Sequence, residues 1–122
     1  MTAISRLVYP AGLIYHPVMT DRLEQLKKLH TADPKDPFLA YGIALELAKE
    51  DALEEAVTWL DQTLALDANY CYAYYQKAKM LSEMGEDQQA QTAISQGLEA
   101  AQRSNDTKAY NELLELQNDE DF

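Results

Sequence analysis

At 122 residues with 47% apolar content, the chain is about one domain long and carries enough apolar surface for a modest core. A net charge of −11 and a pI near 4.4 leave too few clustered cations to neutralise phosphates, which sets aside nucleic acid and anionic membrane surfaces as expected partners. Cys71 is the only cysteine, which excludes an internal disulfide and an intrachain thiolate zinc cluster and fits a reducing, cytoplasmic setting.

The opening segment contains LVYPAGLIYHPVM, but Pro10, His16 and Pro17 interrupt its apolar character and no cleavage site follows. Residues 1–18 are therefore expected to be an extended or mobile arm rather than a signal peptide. No run approaches the roughly 20 apolar residues of a membrane span.

From there the apolar spacing becomes helical. TDRLEQLKKLHTADP predicts a helix over about 20–32, with Leu23, Leu26 and Leu29 on one stripe. Asp36 before Pro37 predicts the start of a helix running to Lys49, and Asp51 followed by Glu54 predicts another to about Leu66. The next helix is expected over Cys71 to Met84, with Gly85 as its left-handed stop, followed by one from Asp87 to about Ala101. A last helix over about 105–117 places Ala109, Leu113 and Leu116 at helical spacing, with Tyr110 and Leu114 beside them, before an acidic tail at 119–122. Charge is uneven along this plan: residues 36–122 hold eighteen acidic groups against five basic ones.

Shifted by 34 residues, the chain matches itself. Tyr41 falls on Tyr75, Ala44 on Ala78, Leu47 on Leu81, Ala56 on Ala90, Thr58 on Thr92, Gln62 on Gln96 and Leu64 on Leu98, while Ile94 answers Leu60 and Gly97 answers Thr63. These are helix-facing positions, so residues 37–70 and 71–104 read as two copies of a helix pair. The units DPFLAYGIALELAKEDALEEAVTWLDQTLALDAN and NYCYAYYQKAKMLSEMGEDQQAQTAISQGLEAAQ resemble tetratricopeptide repeats (TPRs). Tyr74, Ala44, Ala78, Leu47, Leu81, Gly85, Ala56, Ala90, Leu60, Ile94, Thr63 and Gly97 fall at that family's signature positions. Ala40, Lys77, Ala68 and Gln102 depart from the pattern.

The resemblance implies an all-α fold: an antiparallel helix-hairpin stack, a TPR-like right-handed superhelix of about two repeats with a leading helix and a C-terminal capping helix, together spanning 19–118. It further implies that the first helix of each pair lines a concave groove. In this chain that assigns Phe38, Tyr41 and Leu45 from one repeat and Tyr72, Tyr75 and Lys79 from the next, with Tyr74 turned inward. The family's clamp for acidic peptide termini needs Lys and Asn where Tyr41 and Leu45 stand, so that ligand class is not implied.

Other chemistry is not expected. His16 and His30 have no partner at ligand spacing, Cys71 has no base nearby, and Glu54 and Glu55 read as a solvated helix start. Trp59 reads as packing, and four glycines supply no phosphate loop. The expectation is a protein-interaction module with no catalytic residues, no metal and no cofactor, binding a peptide segment of a partner protein. The alternatives are a homo-oligomeric subunit whose groove is self-covered and an accessory subunit of an enzyme complex.

Overall fold

The computed structural model describes the backbone of residues 17–120 and the side chains of 21–119. The predicted arm lies outside the described residues except for Pro17 and Val18, which open the first helix; residues 121–122 of the predicted tail lie outside them too. The described chain is a succession of helices, α1 (Pro17–Ala32), α2 (Pro37–Lys49), α3 (Leu53–Leu66), α4 (Cys71–Glu83), α5 (Asp87–Arg103) and α6 (Thr107–Glu120).

Each helix packs on its neighbour in sequence, and α4 also touches α6 across α5. Side chains define two rows. Tyr41 of α2 stacks on Tyr70 at the start of α4, while His30 of α1 meets Trp59 of α3 edge-on at 4.9 Å and its ring pairs with Gln62 at 3.3 Å. The first helices, α2, α4 and α6, thus form one side, and α1, α3 and α5 the other. The fold is an all-α stack of helix hairpins.

Three connections share one geometry. After α2, Asp51 takes a left-handed φ of 62°, its N–H reaches the Ala48 carbonyl and the Ala52 N–H reaches the Leu47 carbonyl, both at 3.0 Å. Gly85 after α4 (φ 80°) and Asn105 after α5 (φ 56°) repeat this, with Glu86 bonded to Leu81 and Asp106 to Ala101, each at 2.8 Å. The paired bonds satisfy carbonyls that a helix end would otherwise leave open. Here the sequence reading is corrected: Asp51 does not cap α3. It is the left-handed stop of α2, equivalent to Gly85, and α3 starts behind Ala52 with no side-chain cap. Aspartate suits both positions, being a good cap and one of the few residues that tolerate the left-handed region.

The connections at 33–36 and 67–70 are different and longer. Asp36 accepts the Phe38 N–H at 2.9 Å, as the cap expected for α2. In the second connection Asp67 accepts the Asn69 N–H, and the Ala68 carbonyl receives both the Tyr74 hydroxyl at 3.0 Å and Arg103 at 3.4 Å. The α5–α6 connection uses the short geometry instead, and Ala109, Leu113 and Leu116 of α6 are buried as the capping-helix reading expected.

A second correction concerns α1. Leu23 and Leu26 pack against the core, but Leu29 is 55% exposed. Steps of three residues fall about 60° short of a full turn, so the third leucine has rotated about 120° off the stripe. His30, seven residues after Leu23, returns to the buried side and meets Trp59.

The core follows the repeat. Ile43, Ala44, Leu47, Ala56 and Leu60 fill the first hairpin; Ala78, Leu81, Ala90 and Ile94, joined by Leu116, fill the second. Lys77, a charged residue at an apolar signature position, keeps its ammonium 2.7 Å from Asp61 of α3. Glu46 is 4% exposed and holds two cations, Arg22 of α1 at 3.0 Å and Lys49 at 3.1 Å.

Candidate functional site

Tyr70 to Tyr75 contribute four tyrosines within six residues, and a helical period of 3.6 sends them in different directions. Tyr74 is buried among Cys71, Ala100, Ala101 and Ala109, its hydroxyl satisfied by the Ala68 carbonyl. Its neighbour across the hairpin is Gly97, where a Cβ would lie 2.8 Å from the Tyr74 Cβ. A bare backbone thus makes room for a ring.

Tyr72 and Tyr75 are half-buried and meet with ring centroids 6.2 Å apart in a T-shaped arrangement. One turn on, the Lys79 ammonium lies 5.6 Å from the Tyr75 ring centre, within cation–π range. Tyr72, Tyr75 and Lys79 therefore form a continuous strip along α4.

The residues predicted on α2 divide. Tyr41 stacks on Tyr70 with centroids 4.9 Å apart, tilted by 36°. Burial pushes its hydroxyl pKa up, and a hydrogen bond with Gln76 acts in the opposite direction. Tyr41 thereby links α2 to the start of α4. Phe38, one turn earlier, is 63% exposed. Leu45 is half-buried and packs against the first-hairpin core, so most of its surface serves stability.

Three neighbours of these rings lie outside the predicted groove residues. Tyr70 precedes the first helical position of its repeat and so fell outside the groove register, yet it partners Tyr41; burial raises its pKa first, with Tyr41, Asp36 and Asp67 adding to the effect. Gln76 of α4 acts on the Tyr41 hydroxyl, opposing the effect of burial on its pKa. Glu112 comes from α6, beyond the repeat match. Tyr72 titrates above its usual value through desolvation first, then through the charge of Glu112 and a hydrogen bond with it, with Asp106 a smaller influence. The nearness of Glu112 of α6, and of Asp106 just before that helix, to a tyrosine on α4 is a product of packing that no spacing in sequence encodes.

Cys71 is buried, with its sulfur 3.4 Å from the Asn69 carbonyl and 3.8 Å from the Ser104 hydroxyl. Burial raises its pKa, the Ser104 contact opposing, which keeps it a thiol at neutral pH and makes it an apolar filler. Among the described residues no group of three His, Cys, Asp or Glu side chains is arranged to hold a metal, and no described helix is long and apolar enough to cross a membrane.

The sequence matches no protein-family model and no curated protein. Solved structures do match. A tetratricopeptide repeat domain protein from Salinibacter ruber, determined by NMR in solution, is 27% identical over 72% of this chain and 89% of its own, with a TM-score of 0.67. MamA is 22% identical over 84% of this chain and 70% of its own, with a TM-score of 0.64. The type III secretion translocator chaperone SycD of Yersinia enterocolitica, 14% identical over 87% of this chain and 84% of its own, superposes with a TM-score of 0.70 and shares the fold. The chain is a TPR-like helical-hairpin domain, of the kind used as a protein-interaction module.

Proposed function

We propose that the domain binds a peptide segment of a partner protein across the first-helix face, with Phe38, Tyr41, Tyr72 and Tyr75 as contacts and Lys79 at one end. The observation that carries this reading is the aromatic strip itself. Phe38 is left 63% exposed, and Tyr41 and Tyr75, 34 residues apart in sequence, hold equivalent places on adjacent first helices with rings only half-covered. Rigid rings bury area at low entropic cost, and their hydroxyls can pair with a peptide backbone.

Selection of displayed random peptides on the folded domain, followed by titration into the isotope-labelled protein, tests this. Amide shifts should concentrate on α2 and α4, and the Tyr72→Ala, Tyr75→Ala double variant should weaken selected peptides by about 2 kcal/mol or more, the scale of an interface hot spot. Shifts confined to α3 and α5 would move recognition to the opposite side. A dimer by light scattering that the same double variant dissociates would assign the face to a second copy.

A further inference from the structure

We infer that the chain's own residues 3–15, AISRLVYPAGLIY, cover the leading end of the stack by lying on Leu26 and Leu29 of α1 and Leu39 of α2. This surface is separate from the aromatic strip and does not depend on the peptide-binding reading.

By the repeat, α1 corresponds to α3 and α5, the second helices of their pairs, and among the described residues no first helix precedes it. Burial follows this asymmetry. Leu26 is only half-buried, whereas Leu60 and Ile94, at the same place in the later pairs, are fully buried with Ala44 and Leu47 of α2 and with Ala78 and Leu81 of α4. Leu29 is 55% exposed, whereas its counterparts Thr63 and Gly97 are buried. At Gly97 a Cβ would touch Tyr74 on the first helix of its own pair as well as Leu113 on the next. Leu39 is half-buried, whereas Ala73, its counterpart on α4, is fully buried. All three leucines thus face the place that a preceding first helix fills in the later repeats.

The chain that leads into this end is apolar and long enough to cover it. Counted back by 34, residues 3–15 fall on 37–49, and Leu13 falls on Leu47 and Leu81, whose clusters hold Leu60 and Ile94, the counterparts of Leu26. Pro10 and Arg22 stand where the later pairs carry the alanines of the helix crossing, Ala44 with Ala56 and Ala78 with Ala90, so the cover is not a third copy of that crossing. Leu29 lies about 18 Å along α1 from Pro17, and thirteen residues span up to about 40 Å. Attachment at Pro17 holds the segment at an effective concentration on the order of millimolar, which favours it over a second copy.

In the isotope-labelled full chain, at a concentration where light scattering gives a monomer, methyl NOEs should connect Leu13 and Ile14 to Leu26 and Leu29. Leu13→Ser with Ile14→Ser should speed amide exchange across α1 about tenfold and leave α5 and α6 unchanged. Leu29→Ala should speed it too, and adding Leu29→Ala to the serine pair should change little further, because both remove one contact. Unchanged exchange in the serine pair, or two effects that simply multiply, would overturn the inference. So would NOEs from Leu13 and Ile14 to Tyr72 and Tyr75, which would move the segment to the aromatic strip, and a dimer whose mixed-label NOEs run from one copy's segment to the other's α1.

Discussion

Tyr74 and Tyr75 adjoin in sequence and carry opposite assignments. Tyr74 is 8% exposed, so Tyr74→Ala should cost about 3 to 5 kcal/mol, and Tyr74→Phe, which removes only the hydroxyl bonded to Ala68, about 1 kcal/mol. Tyr75 packs one side of its ring on the second-hairpin core, so Tyr75→Ala should cost roughly 1 kcal/mol while removing a binding contact. Urea melts of the three variants measure this. A larger loss for Tyr75→Ala than for Tyr74→Ala would mean that α4 is rotated from its described orientation. The volumes at this level are matched across the hairpin: the second repeat sets Tyr74 against Gly97, while the first carries Ala40 and Thr63 at the equivalent positions, both fully buried.

At the scale of the element, three glycines separate the reasons a helix keeps one. At Gly42 a Cβ would meet only the Leu26 methyls at 3.5 Å, an ordinary contact, so Gly42→Ala should gain up to about 1 kcal/mol from helix propensity. Gly97 lies just as deep within its helix, but the same change drives a Cβ into Tyr74 and Leu113 and should cost about 1 to 3 kcal/mol. Gly85 has open space around it and a left-handed backbone, so Gly85→Ala should cost about 1 kcal/mol through strain alone. Thermal melts of the three should therefore differ in sign as well as size. A stabilising Gly97→Ala would contradict the close approach of α5 to α4 and α6.

For the whole molecule, stability passes from neighbour to neighbour, and its two ends are unequal. The C-terminal helix α6 buries Ala109, Leu113 and Leu116 completely or nearly so, with Leu116 in the second-hairpin cluster, Ala109 in the cluster around Tyr74, and Leu113 against Gly97 of α5. The leading helix α1 offers two half-buried leucines, the His30 edge contact, and a latch in which Arg22 holds the buried Glu46. Amide hydrogen exchange should accordingly find α1 opening at lower free energy than α6. Arg22→Ala should lower the α1 opening energy further, by about 0.5 to 1 kcal/mol, since Lys49 remains to hold the carboxylate. Equal protection of α1 and α6 would show that the stack opens as one cooperative unit.

Much of this architecture was legible in the chain because it depends on local period. The 34-residue match placed Ala44, Ala78, Leu47, Leu81, Ala56 and Ala90 in the core, and all are buried. The same register separated the inward Tyr74 from the half-exposed Tyr72 and Tyr75. Such features follow from the helix repeat and from the need for small residues where helices cross. What spacing could not supply were contacts between elements and choices between two local roles for one residue. Asp51 could cap or stop a helix, and only the left-handed backbone decided. Leu29, by contrast, was legible: two steps of three residues carry it about 120° around α1 from Leu23, and helical arithmetic alone leaves it outside. Tyr70 and Glu112 came to the aromatic face from a connection and from the capping helix, because packing of α2, α4 and α6 side by side brings together residues that have no relation in sequence. Periodicity determined which side each helix buries; tertiary packing decided which side chains from other helices it would meet there.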